Sequence, residues 1–585
     1  MRTFVLIWLT MTPRASQLSF EAMSVAAALS DPSSANTGDH GEVFTRRWVV
    51  DLILDLAGYT SDRDLASLVA VEPASGKGAF LVPMAERLAK SCVVHGRDLR
   101  AAAAALRAYD LLTSNVEASR HAVIRALLDR GHSVTDAQRL SKHWVTQADF
   151  LLRDQDDATA DFVVGNPPYI RLEKVPPARS AAYRHLCETM RGRSDVFVGF
   201  IERGLRLLRD DGVLGFIVAD RWMRNQYGAA LRAMVSDGFS VDHLIQLHDA
   251  DVFDDRVSAY PAITIMRRGS QGQPVIADTT AEFGQPDAAR LSRWVRSNES
   301  SSLASPSVEA ARLPSWFAGS GSWPTGTPDE LALVADLEAR FPPLEDRHTR
   351  TRVGIGVATG LDSVYLTGEP DVVEPDRLLP LAMAGDTTGG RLSWSGTCLV
   401  NPWQDGRLVH LEDHPRLRRY LTKHEVSIRA RHVAQRNPSS WYRTIDRVEP
   451  HLLERPKLLL PDLKASIHPV LEEGNLYPHH NLYFVTSGEW DLEVLGGLLL
   501  SDVANLFVGA YCVKMRGGCY RFQAQYLRRI RVPSHESLRA VDKRALASAF
   551  TGRDIEAATE IARRLYKIDD LPISCRTQVP RARVS

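Results

Sequence analysis

The 585-residue chain predicts an α/β protein, with a doubly wound, largely parallel sheet followed by an α+β C-terminal domain. Three observations predict it. Short apolar runs of strand length alternate with helical stretches through the first half. The first run feeds directly into a glycine-containing loop and a helix. From about Gly269 the texture changes, with Gly, Ser and Pro breaking the apolar runs, until a new unit opens near Arg352. A chain of this length exceeds one core and implies two or three domains.

The elements follow in order. Residues 1–38 read as a flexible N-terminal extension: the apolar run Phe4–Leu9 is brief, meets Pro13 and lacks a small-residue cleavage site. A helix begins with Thr45 as N-cap and runs through Trp48, Val49, Leu52, Ile53 and Leu56 to Gly58. The first strand, Leu68–Val71, leads through Glu72-Pro73-Ala74-Ser75-Gly76-Lys77-Gly78-Ala79-Phe80 into a helix reaching Leu88. Cys92–Val94 reads as the second strand, with Asp98 near its end. Phe162–Val164, Val213–Val218 and Ala262–Met266 supply further strands. Asp195-Val196-Phe197 opens a helix whose Phe197, Phe200 and Ile201 form a core stripe. The boundaries are a first domain over 39–269, a linker or irregular segment over 270–345, a second domain over 346–540, and a C-terminal helix and tail over 541–585.

Composition excludes several classes. Hydrophobic content of 44% and charged content of 24% are ordinary for a soluble globular protein. Formal net charge is zero, so a nucleic-acid surface would have to arise from local segregation of charge. The six cysteines include no CxxC pair, which argues against a disulfide framework and a zinc site and fits a reducing cytoplasm; no metal is expected. No stretch reaches the roughly 20 apolar residues that span a bilayer, so no membrane partner is expected.

The chemistry concentrates in Asn166-Pro167-Pro168-Tyr169, directly after the apolar run ending at Gly165. A conjugated amine such as adenine N6 is a poor nucleophile because its lone pair is delocalised. A carboxamide oxygen (Asn166) and a main-chain carbonyl, held by prolines of fixed φ, can both accept from the NH2 and localise that pair. Tyr169 offers a face for a base. Taken alone, the four residues also fit a strand-ending turn. Upstream, Glu72 can pair with an ammonium, Ala74 and Gly76 let a ligand approach the backbone, and Asp98 can accept ribose hydroxyls. Asp149 and Phe150 supply an acceptor and a ring where an adenine would lie. A phosphate loop is the rival for Gly76-Lys77-Gly78, but the GxxxxGK[ST] spacing is missing.

In this order along one sheet, these pieces resemble the TaqI-like DNA adenine-N6 methyltransferases, from about His40 to Pro533. His40-Gly41-Glu42-Val43-Phe44-Thr45 is similar to the segment that the family places over the methionine part of its cofactor. Ser75 and Lys77 depart from the small or uncharged residues usual in the glycine loop. The resemblance implies a Rossmann-like S-adenosylmethionine-dependent domain, with Thr45 among the cofactor contacts, and a C-terminal recognition domain. Arg352–Gly360 and Met515–Gln523 look like landmarks of that domain. It also implies that the target adenine is flipped out of double-stranded DNA, stacked by Tyr169 and Phe253, and methylated in line.

Between Arg407 and Lys457 a basic stretch includes Arg416, Arg418, Arg419 and Arg443, interleaved with Trp441 and Tyr442. Such a patch can dock phosphates, although Glu412, Asp413, Glu425 and Asp446 dilute it and a solvated charged face reads the same way. The scattered cysteines fit a cytoplasmic location, one active site with one recognition domain suffices for a monomer, and the resemblance implies a modification enzyme whose functional partner is a cognate restriction endonuclease. The layout resembles the SalI/XamI group, which implies GTCGAC as the site. With residues 1–38 read as an extension, no nuclease domain is expected at that end. The rivals are a protein glutamine methyltransferase, an RNA adenine methyltransferase and a catalytically dead DNA-binding module.

Overall fold

The computed structural model describes residues 43–572, except 155, 255–259, 298–299, 318 and 516–518. The expected N-terminal extension, His40–Glu42 and the tail beyond 572 therefore lie outside the described residues. The chain forms two compact units, one ending at Pro328 and one beginning at Asp329.

The first unit is built on a ten-stranded sheet. In chain order the strands are β1 (Ala70–Glu72), β2 (Leu106–Asp110), β3 (Val145–Gln147), β4 (Ala160–Gly165), β5 (Leu208–Ala219), β6 (Phe239–Gln246), β7 (Pro261–Arg268), β8 (Val275–Thr279), β9 (Ser302–Ser305) and β10 (Val308–Arg312). Their spatial order is β3-β2-β1-β4-β5-β7-β6-β8-β10-β9. Strands β1 to β5 run parallel, and β7 enters antiparallel between β5 and β6. The order reverses between β1 and β4, the switch point where doubly wound sheets open a crevice at their carboxyl ends.

Helices cover both faces. Helix α1 (Arg47–Ala57) buries Val49, Val50, Leu52, Ile53, Leu54, Leu56 and Ala57 and stops at Gly58, whose φ of 77° lets the turn close. Its Ile53 lies 3.2 Å from where a β-carbon on Gly215 of β5 would stand. On the opposite face, a β-carbon on Gly204 of the helix Phe197–Leu207 would come within 2.8 Å of Leu214. Adjacent residues of β5 thus face opposite layers, as strand alternation requires.

The structure departs from the sequence expectations in three places. Cys92–Val94 is not a strand but the last turn of helix α2 (Leu81–Val94); Cys92 is buried while Val93 and Val94 are exposed, which is helical rather than strand patterning. The second strand is Leu106–Asp110, hidden behind the alanine run 101–105. The segment 270–345 is not a linker, because β8 to β10 extend the sheet and the helix Gln285–Ser297 packs beside α1. Thr45 does not cap α1; Arg46 holds the N-cap position without a side-chain bond.

The second unit carries a four-stranded sheet of β11 (Arg352–Ile355), β12 (Lys457–Pro461), β13 (Val470–Glu472) and β14 (Leu482–Thr486), in the order β11-β14-β12-β13. One core layer packs helix α3 (Pro415–Lys423) through Leu417 and Leu421. The other gathers α4 (Leu492–Leu500), α5 (Asp502–Tyr511), α6 (Ala540–Gly552) and α7 (Ile555–Tyr566). Residues 541–566 are two helices rather than one, broken at Arg553 (φ 58°) and restarted by Asp554, which caps Ala557. They belong to this core: a β-carbon on Gly497 of α4 would stand 2.5 Å from the Leu546 carbonyl of α6. No single described helix is long and apolar enough to cross a membrane; α4 and α5 together are apolar, but they meet at 65° and are buried here.

Candidate active site

The carboxyl ends of β1 to β4 converge on one pocket. It is lined by the loop after β1 (Glu72–Phe80), Asp110–Leu112 after β2, Ala148–Phe150 after β3 and Asn166–Pro168 after β4, with Val43–Thr45 alongside. Of the sequence-derived site residues, Thr45, Glu72, Ala74, Gly76, Asp149, Phe150, Asn166 and Pro167 all line it.

Asn166 is fixed by its nitrogen. The Nδ2 group donates to the Val43 carbonyl at 2.9 Å and to Thr45 Oγ1 at 3.0 Å. A carbonyl can only accept, so the orientation of the carboxamide is determined by its partners. Its other end, Oδ1, is buried and has no hydrogen-bond partner. Thr45 is itself locked by a bridge to Phe253, and Arg46 N–H donates to the Val252 carbonyl at 3.0 Å.

Glu72 is buried at the end of β1. Burial, reinforced by the charge of Asp110, pushes its carboxyl well above the usual glutamate range, opposed by the Phe80 and Leu81 backbone N–H groups at the start of α2. Its Oε2 is buried without a partner. Gly76 and Gly78 adopt φ of 51° and 95°, and a β-carbon on Gly76 would meet nothing within 4 Å. An unpartnered buried acceptor beside an open glycine cradle fits a ligand that carries an ammonium group.

The acid expected after the second strand is not Asp98. That residue is exposed on the turn after α2, where its carboxylate accepts from Arg100 Nε at 2.8 Å and from the Arg100 N–H at 2.9 Å. Asp110 occupies the pocket instead. Its Oδ2 accepts from Gly76 N–H at 2.8 Å, and its Oδ1 from Leu112 N–H at 2.9 Å and Asn115 Nδ2 at 3.1 Å. The available signal was Tyr109-Asp110 closing a short run at the right distance from the glycine loop.

Asp149 and Phe150 form the far wall. Asp149 accepts from Tyr183 Oη at 2.7 Å and Leu151 N–H at 3.1 Å, with Arg179 3.7 Å away; burial raises its carboxyl against those partners. Phe150 stacks on Phe200 at 5.4 Å and 20°, so Phe200 serves pocket and core together.

Tyr169 and Phe253 are brought together, but not as parallel walls. Their centroids are 6.1 Å apart at 79°, edge to face, and Tyr169 also meets Phe197 at 6.2 Å. The Tyr169 hydroxyl donates to the Ile217 carbonyl at 3.3 Å. A slot for an inserted base is not preformed between them.

In the second unit the four arginines singled out from sequence have unlike surroundings. Arg418 is exposed and paired with Glu412; Arg416 is half-buried, with its backbone N–H on Glu374 and its guanidinium by Asp371. Arg419 is exposed and makes no ion pair with the described residues. Arg443 is half-buried, 5.7 Å over the Trp403 ring.

Residues 94–253 match the model of the Eco57I restriction-modification methylase family. The chain is 43% identical over 541 residues to the type II methyltransferase M.XhoI of Xanthomonas vasicola, covering 91% of this chain and 98% of that one. It is 43% identical over 531 residues to M.PaeR7I of Pseudomonas aeruginosa, covering 90% and 91% respectively. Among solved structures, the type IIL restriction-modification enzyme MmeI, determined in complex with DNA, aligns over 90% of this chain and 75% of its own, with a TM-score of 0.55 at 11% identity. That last likeness concerns the fold.

Proposed function

The chain belongs to the type II methyltransferases of restriction-modification systems, and from that premise we propose that it methylates adenine N6 at a specific site in double-stranded DNA. The observation that carries this reading is the Asn166 carboxamide, whose nitrogen is bound to Val43 and Thr45 while its buried oxygen has no partner. S-adenosylmethionine supplies an electrophilic methyl group on a cationic sulfur. Glu72 takes its ammonium, Asp110 its ribose hydroxyls, and Asp149 with Phe150 its adenine.

On the target side, Asn166 Oδ1 and the Pro167 carbonyl accept from the amino group and localise its lone pair. Neither needs to be a strong base, because the proton is lost only after the nitrogen has become cationic. The target must leave the duplex, at a cost of a few kcal/mol. Stacking on Tyr169 and Phe253 offsets part of it, at about 1–3 kcal/mol per base. Arg416, Arg418 and Arg419 of the second unit contact phosphate. The protein acts as a cytoplasmic monomer that protects host sites from a partner nuclease.

The decisive test incubates the full chain with methyl-labelled cofactor and duplex DNA, RNA or protein, and identifies the labelled product. Label in N6-methyladenine of duplex DNA is expected, and GTCGAC is the first oligonucleotide to try. Label in cytosine, in RNA alone or in protein glutamine would replace this reading.

A further inference from the structure

We infer that Lys77 binds the carboxylate of the cofactor's methionine end, so that the pocket recognises a zwitterion with one anchor for each charge. The inference rests on the proposed cofactor. Lys77 stands between Gly76 and Gly78, the two left-handed residues that let the loop turn tightly at the pocket wall. Its ammonium lies 4.8 Å from the centroid of the Phe44 ring, and both residues line the pocket. Lys77 makes no ion pair or hydrogen bond with the described residues, so its three N–H donors have no acceptor among them. A ring face attracts a cation but accepts no directed bond of comparable strength.

The other charges in this pocket are arranged differently. Arg179 lies against Asp149, and Asp110 is tied to Gly76, Leu112 and Asn115. Glu72, five positions before Lys77 in the same loop, has a buried oxygen with no partner. An unused acceptor and an unused donor set in one loop match the ammonium and carboxylate of an α-amino acid. Phe44 makes the arrangement more than a surface charge: it lies between Val43 and Thr45, which hold Asn166, so the lysine is steered by the same segment that fixes the carboxamide.

The experiment is calorimetric titration of the full chain and its K77M, K77R and K174M variants with S-adenosylmethionine and with its decarboxylated analogue. Wild type should prefer the carboxylated ligand by about tenfold or more, the scale of a charge-assisted hydrogen bond. K77M should lose that preference by weakening only the carboxylated ligand, and K77R should restore it. Lys174 also lines the pocket, and K174M should keep the preference. Equal weakening of both ligands in K77M would mean that the lysine merely clasps Phe44, and overturns the assignment. An unchanged preference in K77M, or its loss in K174M, overturns it too. Wild type that binds neither ligand would instead remove the cofactor reading on which this rests.

Discussion

Thr45 Oγ1 accepts a hydrogen bond from Asn166 Nδ2 at 3.0 Å, joining the segment before α1 to the turn after β4. With the Val43 carbonyl holding the same nitrogen at 2.9 Å, the carboxamide oxygen has one orientation. The reading predicts a graded series. Asn166→Ala should lower kcat by at least about 10²-fold, the scale of removing one preorganised polar group from a transition state, while cofactor and DNA affinity are retained. Thr45→Val leaves the Val43 contact and should lower kcat by only about tenfold, one hydrogen bond's worth. Steady-state kinetics on a methylatable duplex reads both; full activity in Asn166→Ala would dismantle the mechanism.

Glu72 yields a pH prediction. Its carboxyl is raised in the folded protein by burial and by Asp110, so the unfolded chain ionises first. Its contribution to stability is therefore complete below the ordinary glutamate value of about 4.3 and is lost as pH rises through the folded value. A ligand ammonium favours the ionised form and reverses this. Cofactor binding should release a proton, seen as a heat that varies with buffer ionisation enthalpy. Glu72→Gln should abolish that dependence, weaken binding, and raise the melting temperature of the unliganded protein more at pH 8 than at pH 5. Buffer-independent heat in wild type would contradict the assignment.

The pattern of what was legible follows from where each signal lies. The positions of Glu72, Asn166 and Asp149 were readable because each lies at, or within two residues beyond, the carboxyl end of a strand. Asp98 misled because Cys92-Val93-Val94 has strand composition, yet continues the period of α2 until Gly96 (φ 62°) stops it. Asp110 closes Leu106–Asp110, which directly follows five alanines and carries Arg107, so the run lacks the continuous apolar signature of a buried strand. The segment 270–345 reads as linker or irregular structure because its strands are short and two lie near the sheet edge, where exposed polar residues dilute the apolar alternation. The contacts of Thr45 had no local signal, since its partner lies 121 positions away.

Salt dependence separates the arginines. Each phosphate neutralised contributes about −0.9 to the slope of log K against log salt on duplex DNA. Arg418 and Arg416 already lie against Glu412 and Asp371, so a phosphate must displace an acid there. Arg419 faces no such competition among the described residues. Arg419→Ala should flatten the slope by about one, Arg418→Ala by less, and Arg443→Ala should lower stability through its Trp403 contact without changing the slope. Fluorescence anisotropy across a salt series measures all three; an unchanged slope in the Arg416, Arg418, Arg419 triple variant would exclude this patch.

Tyr169 and Phe253 should prove unequal partners in holding the base. They meet edge to face at 6.1 Å, whereas a base stacked on both would need parallel faces about 7 Å apart, twice the contact distance of roughly 3.5 Å between carbon atoms. One ring must therefore turn or yield as a base enters. Tyr169 is held by its hydroxyl on the Ile217 carbonyl and by Phe197, between two prolines and the helix that packs on β5. Phe253 is anchored through its backbone, by the bridge to Thr45 and by Arg46 Nε on its carbonyl at 3.2 Å. Its ring is buried in the core but makes no hydrogen bond, so it is the one that can turn without breaking one. With 2-aminopurine in place of the target adenine, binding should raise fluorescence. Tyr169→Ala should remove most of that rise and about 1–3 kcal/mol of stacking, while Phe253→Leu should keep more than half of it. Equal losses in the two variants would mean that both faces carry the base alike.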